Sequence, residues 1–357
     1  MRIAVLGVGL IGGSIGLAAR ERADAEVVGW GPRRETLQKA LDKGAIDRIA
    51  GTVQEAVHEA DAVFACAPVE LLPSLVEQAL AAAGPDTVVT DAGSVKHDLV
   101  EAIEDERFVG GHPVAGAETA GVENARADLF EGAAWYLTPR PNTGGILFER
   151  LHRLIVAFGA RPTAIDARTH DRMLAAVSHL PHVLANSLVM QAASAVSDDE
   201  ALPRSGPSFR DMTRVAGANS DIWTGIYVSN REAIADQVEA VAERLQAIVE
   251  LLRGADADGL RAWNDGARED RRRLLEAGLE GGQVIELRLS VPNRPGIVAQ
   301  VALALGRAGV NIADLALAPA PDMRSGSMTL WVAGEDDAVR AKLLIEDLGF
   351  PAAVVEG

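Results

Sequence analysis

Arg2-Ile3-Ala4-Val5-Leu6-Gly7-Val8-Gly9-Leu10-Ile11-Gly12-Gly13-Ser14 is the stretch on which the fold of the chain turns. The apolar run from Ile3 to Leu6 predicts a buried parallel strand, and residues 14–20, rich in Ala and Leu, predict the helix after it. Between them Gly7 permits a tight turn, Gly9 lets backbone approach a pyrophosphate, and Gly12 lets the helix pack against the strand. The first N–H groups of that helix and its dipole then face the phosphates. A glycine-rich turn without a nucleotide is the plainer alternative. A strand before it and a helix after it favour the nucleotide.

Outward from this turn, short apolar runs alternate with helical patterns. Strands are predicted over 2–6, 26–30, 62–66, 87–90, 108–110, 135–138 and 161–165, with helices over 35–43, 71–83, 95–104 and 146–158. Such alternation predicts a Rossmann-type, doubly wound parallel α/β sheet over residues 1–166. From about Asp166 the pattern becomes helical (170–194, 226–252, 256–277), which predicts an all-α domain over 167–280 that packs against another subunit. Gly281-Gly282 then breaks the chain. Residues 283–357 read as strand, helix, strand, strand, helix, strand, the order of a ferredoxin-like α+β unit.

The 357 residues are 48% hydrophobic and 24% charged, ordinary for a globular chain, and leave room for two or three domains. A net charge of −17 argues against nucleic-acid and anionic-membrane partners, and obliges any anion site to build its own local positive field. The single cysteine, Cys66, excludes an internal disulfide framework and suits a reducing, cytoplasmic setting. It ends the third strand, where a small core residue is expected. No run of about 20 apolar residues is evident.

Three stretches carry chemistry. A strand that ends near a ribose usually closes on an acid, whereas here it closes on Trp30-Gly31-Pro32-Arg33-Arg34. Arg33 or Arg34 would neutralise a 2′-phosphate, favouring NADP; alternatively both are solvated loop arginines, and the cofactor is written NAD(P). His112, in Gly110-Gly111-His112-Pro113, follows a predicted strand and is expected in a rigid turn at the ligand-binding edge of the sheet, where it serves as a general base. Ser94, in Asp91-Ala92-Gly93-Ser94-Val95-Lys96, would orient His112 or cap a helix starting at Val95.

These segments together resemble the prephenate dehydrogenase family, which includes arogenate-using members. The matching stretches are the Gly7/Gly9/Gly12 turn, Asp91 to Lys96, His112-Pro113-Val114-Ala115-Gly116 and Ser178-His179-Leu180-Pro181-His182. A further match runs from Phe209 to Ala216, with Trp223 nine residues beyond Arg214. The resemblance implies oxidative decarboxylation of prephenate, or of arogenate, in tyrosine biosynthesis. His112 would be the base and Ser94 its catalytic partner. Arg214, a planar fork suited to carboxylates, would bind substrate, with His182, His179, Glu118 and Trp223 lining the pocket. The cofactor would lie on Gly7, Gly9, Leu10, Ile11, Gly12, Arg33, Arg34, Ala67, Pro68 and Ser94.

The end of the chain is similar to an ACT module, which implies either feedback by tyrosine or oligomerisation alone, and the helical domain implies a homodimer. His179 and His182 stand three apart on a helix, but a metal site needs a third ligand that the neighbouring sequence does not supply. Pro181 leaves the Val177 carbonyl without its helical partner, so a local irregularity is expected there. A β-hydroxyacid dehydrogenase would need a helical lysine, and no lysine lies between Lys96 and Lys342. A non-catalytic amino-acid sensor is the rival from another class.

Overall fold

The computed structural model describes residues 1–115, 121–195, 206–277, 284–292, 297–310, 312–320 and 325–355. Two compact units emerge: Met1–Leu202 with Thr213–Val241, and Pro203–Met212 with Ala242–Gly357.

The first unit is built on eight strands: β1 (Arg2–Leu6), β2 (Glu26–Trp30), β3 (Arg48–Ile49), β4 (Ala62–Ala65), β5 (Val88–Asp91), β6 (Phe108–Pro113), β7 (Ala134–Thr138) and β8 (Arg161–Ala164). Their order is β3-β2-β1-β4-β5-β6-β7-β8, so the chain winds outward in both directions from β1. Successive residues of β1 point to opposite faces. Ile3 and Val5 join one apolar layer, Ala4 and Leu6 the other, which is why the strand is apolar throughout rather than alternating. The expected all-parallel sheet needs one correction: β6 and β7 pair antiparallel, Gly110 to Pro113 lying opposite Thr138 to Trp135. Polarity is set by how the intervening loop returns, and alternation of apolar runs does not encode it.

Beyond the sheet the chain continues as one helical stretch, Ala167–Ser194, interrupted by a π turn at Ala175–His179. Pro181 sits in the first turn of the next segment. A locally widened ladder accommodates its missing N–H. Contrary to the sequence reading, these 28 residues are long and apolar enough to cross a membrane by composition, and only 28% of the apolar window is buried. The first half of the stretch nonetheless carries His170, Asp171 and His179, all buried. Helix Ser220–Ser229 packs on the short turn Val69–Leu71 that follows Pro68.

The second unit contains helix Ala257–Ala277 and a four-stranded antiparallel sheet of β9 (Val284–Pro292), β10 (Ile312–Pro319), β11 (Ser325–Ala333) and β12 (Ala352–Val354), ordered β10-β11-β9-β12. Leu287, Leu289, Met328 and Leu330 turn one face towards helices Ile297–Arg307 and Glu335–Asp347, where Val301, Leu305, Ala341 and Ile345 meet them. Arg271 lies 4.2 Å over the ring of Trp331 on β11 and pairs with Asp314 on β10 at 3.4 Å.

Candidate active site

The parallel strands β1, β4, β5 and β6 end on one edge of the sheet, where the glycine turn follows β1, Ala67 and Pro68 follow β4, and Ser94 follows β5. Gly7 adopts φ +99°, a left-handed conformation open chiefly to glycine. A Cβ on Gly7 would stand 2.0 Å from the Cys66 carbonyl oxygen, and one on Gly12 would stand 2.1 Å from that of Gly7. A Cβ on Gly9 would meet nothing within 4 Å. The first and third glycines are thus demanded by the chain itself, while the second faces open space at the start of helix Leu10–Ala23. That is the cradle a dinucleotide pyrophosphate needs, so the residues fit NAD(P). Ala67 and Pro68 continue the same edge from β4. Arg33 precedes helix Arg34–Asp42; both arginines are exposed and make no ion pair among the described residues.

His112 lies within β6, opposite Tyr136 of β7, rather than in a turn beyond a strand. It is 8% exposed. Gly110 and Gly111 let it sit there: a Cβ on Gly110 would fall 2.3 Å from the Thr138 hydroxyl oxygen, and one on Gly111 2.6 Å from the Asp91 carbonyl oxygen. The partner of His112 was not foreseen. Its Nδ1 lies 2.9 Å from Nε2 of His170, whose Nδ1 lies 2.7 Å from Oδ1 of Asp171. Asp171 also accepts the backbone N–H groups of Lys96 and His97, each at 2.8 Å. A carboxylate so placed is an acceptor. His170 therefore donates to it from Nδ1 and accepts at Nε2 from the N–H of His112 Nδ1. The lone pair of His112 is left on Nε2, the nitrogen a base requires.

Ser94 does not play the part expected of it. It makes no hydrogen bond to His112, and the helix beside it starts at His97 with no side-chain cap. Asp171, 75 residues away in sequence, accepts the free N–H groups at this helix start instead, whereas Ser94 lies three residues upstream of His97, outside the capping position.

Electrostatics follow burial. The His112 pKa is held well below its ordinary value, first by desolvation and then by the charges of His170, Lys96 and His179. His179, 1% exposed, is pushed down to about 4, again chiefly by burial. Its Nδ1 lies 3.1 Å from the Asn230 side-chain amide, which also donates to the Asp171 backbone carbonyl at 2.9 Å. His182 stacks on Trp223, with ring centroids 3.5 Å apart and planes at 24°. The His182 pKa is lowered by partial burial and by the positive charge of Arg214. His179, His182, Trp223 and Arg214 are therefore neighbours; the spacing led one to expect this of the two histidines, and the family resemblance of the other two. Glu118 lies outside the described residues. Among the described residues no group of three His, Cys, Asp or Glu side chains is placed to hold a metal. The Cys66 thiol is pushed up by burial and by Asp91, so it stays protonated.

His170, Asp171 and Asn230 escaped the sequence reading. The available signal was that His170 and Asp171 fall on the same face as Ala167 and Leu174 of a short amphipathic helix, where unpaired polar residues are costly.

Comparisons with known proteins match both the sheet region and the helical region. Residues 15–163 match the family description "Prephenate dehydrogenase, nucleotide-binding domain", and residues 166–264 match "Prephenate dehydrogenase, dimerization domain". The chain is 30% identical over 354 residues to a prephenate dehydrogenase of Bacillus subtilis, covering 96% of this chain and 95% of that one. Among solved structures, the prephenate dehydrogenase of A. aeolicus in complex with hydroxyphenyl propionate and NAD+ is 28% identical with a TM-score of 0.72, over 77% of this chain and 98% of that one. An arogenate dehydrogenase of Synechocystis is 26% identical with a TM-score of 0.68, over 77% of this chain and all of that one. With both the nucleotide-binding and the helical regions matched, the chain is an NAD(P)-dependent oxidoreductase and belongs to the prephenate dehydrogenase family.

Proposed function

We propose that this enzyme oxidatively decarboxylates prephenate to 4-hydroxyphenylpyruvate in tyrosine biosynthesis, with arogenate as the alternative substrate. The observation that carries the reading is His112 at the cofactor edge, with its tautomer set by His170 and Asp171 and its Nε2 free to accept a proton. Bound NAD(P)+ supplies the hydride acceptor. His112 takes the proton of the ring hydroxyl at Nε2, while Arg214 and His182 hold a carboxylate of the substrate and Trp223 closes the pocket. Loss of the ring carboxylate as CO2 then aromatises the ring, which draws the reaction forward. Holding base and substrate in one geometry contributes a large share of such rate enhancement. Ser94 contacts substrate or cofactor from the loop after β5, and resemblance to the family assigns Glu118 to substrate binding.

We divide the chain into a dinucleotide domain (1–166), a helical substrate and dimerisation domain (167–280) and an ACT-type module (283–357) that binds tyrosine. Val177, Met190, Ile222 and Val228 are apolar and exposed on the helical region, which supports a homodimer through it. We assign the protein to the cytoplasm. Arg33 and Arg34, with no acid at the end of β2, favour NADP over NAD. Initial rates for prephenate and arogenate with each dinucleotide, with and without tyrosine, test all of this. Reduction of neither dinucleotide would favour the amino-acid sensor instead.

A further inference from the structure

Lys96 is fully buried, as is its partner Asp91, a costly place for an ammonium unless its partners are well placed. Asp91 ends β5. Its Oδ2 accepts the backbone N–H of Gly93 at 2.8 Å and the ammonium of Lys96, and its Oδ1 accepts the N–H of Gly111 at 3.0 Å. Gly111 immediately precedes His112. The backbone N–H of Lys96 meanwhile donates to Asp171 Oδ1, the same oxygen that holds His170. One residue therefore touches both carboxylates, and each carboxylate leads to His112 by a separate route. The reaction described above leaves this arrangement unused.

We propose that Lys96 is the positioning residue of this site: its side chain and its backbone N–H hold Asp91 and Asp171, which together fix the strand and the imidazole partner that seat His112. The proposal rests on His112 being the base. Lys96 has a second effect through space. The charged and titratable groups around His112 are Lys96 and Asp91 from the β5 edge, Tyr136 from β7, and His170, Asp171 and His179 from the long helix. Of these, Lys96, His170 and His179 hold its pKa down. A permanently paired ammonium keeps the base neutral, so it is ready to accept a proton at neutral pH.

The test is Lys96→Met in the full chain, read by turnover and by NMR titration of the His112 ring. A lost hold on β6 displaces the base, so kcat is expected to fall about 100-fold with KM nearly unchanged. Removal of the cation is expected to move the His112 titration about one pH unit upward. Asp91→Asn/Lys96→Met replaces the buried pair by a neutral one and keeps an acceptor for Gly111; should the single variant fail to fold, it is expected to show the same fall in kcat, with a smaller upward titration because the lost carboxylate offsets the lost ammonium. A folded variant with the wild-type His112 titration, or one whose KM rises while kcat holds, would overturn the proposal. The ring titration needs no turnover. A wild-type enzyme inactive on prephenate and arogenate would therefore defeat the base assignment while Lys96 was still being tested.

Discussion

The two sides of the candidate site are built in opposite ways. Around His112 the side chains that hold it are enclosed and linked: His170 is 0% exposed, Asp171 4% and Lys96 0%, and hydrogen bonds join them across three elements. On the helical region that carries Arg214, large apolar side chains stand in the open, Met190 at 72% and Val177 at 64%. The proton-handling side is complete within one chain. The substrate side is a surface that the proposed dimer and the substrate itself would cover. Chemistry that depends on a tautomer needs fixed partners, whereas binding a dianion needs a cation that water reaches before the substrate does.

This contrast predicts a descending series of effects. His112→Asn removes the base, so turnover is expected to fall about 10³-fold or more while dinucleotide affinity, measured by fluorescence titration, stays within about twofold. Loss of dinucleotide binding in that variant would blur the distinction between the two sides. Asp171→Asn removes the negative charge and one of the two oxygens that accept from His170 and from the start of helix His97–Ala102. It is expected to lower kcat about 100-fold and stability by about 1–3 kcal/mol, seen in steady-state rates and denaturant unfolding. Arg214→Gln is expected to raise the prephenate KM about tenfold with little change in kcat, the reverse partition.

Gly9→Ala sharpens the comparison from the cofactor side. Its Cβ enters open space, so the thermal midpoint is expected to stay put while dinucleotide affinity drops about tenfold. A fall in both would mean that the turn, and not a ligand, needs that glycine. The smallest effect concerns pH. His179 is driven down to about 4, against about 6.5 in an unfolded chain. The unfolded state binds the proton first, so the contribution of this group to stability is complete above about pH 6.5 and is lost as pH falls towards 4. His179→Gln is expected to flatten the decline of Tm across that window, read by calorimetry.

Much of this could be read before any coordinates. Gly7 and Gly12 are demanded by close backbone approach, a local requirement that leaves a local mark, and the strands ending at Leu6, Ala65 and Asp91 are short apolar runs of the kind a doubly covered sheet imposes. His179 and His182 were recognisable as a pair from spacing, and Trp223 joined them through the family resemblance. The partners of His112 were not, because His170 meets it across 58 residues and only the folded chain brings them together. The reversed pairing of β6 and β7 was hidden for a similar reason: a strand has the same composition in either direction. Ser94 shows the converse error. Proximity in sequence to the loop suggested a contact with His112 that a distant Asp171 and its neighbour in fact provide.

The central claim is that the imidazole held by His170 removes the ring-hydroxyl proton while a dinucleotide is reduced. Its most direct measurement is stopped-flow formation of reduced cofactor from prephenate in wild-type protein and in His112→Asn, both saturated with NAD(P)+. The account predicts a burst or steady signal in the wild type and a rate at least about 10³-fold slower in the variant. Equal rates in the two proteins would contradict it.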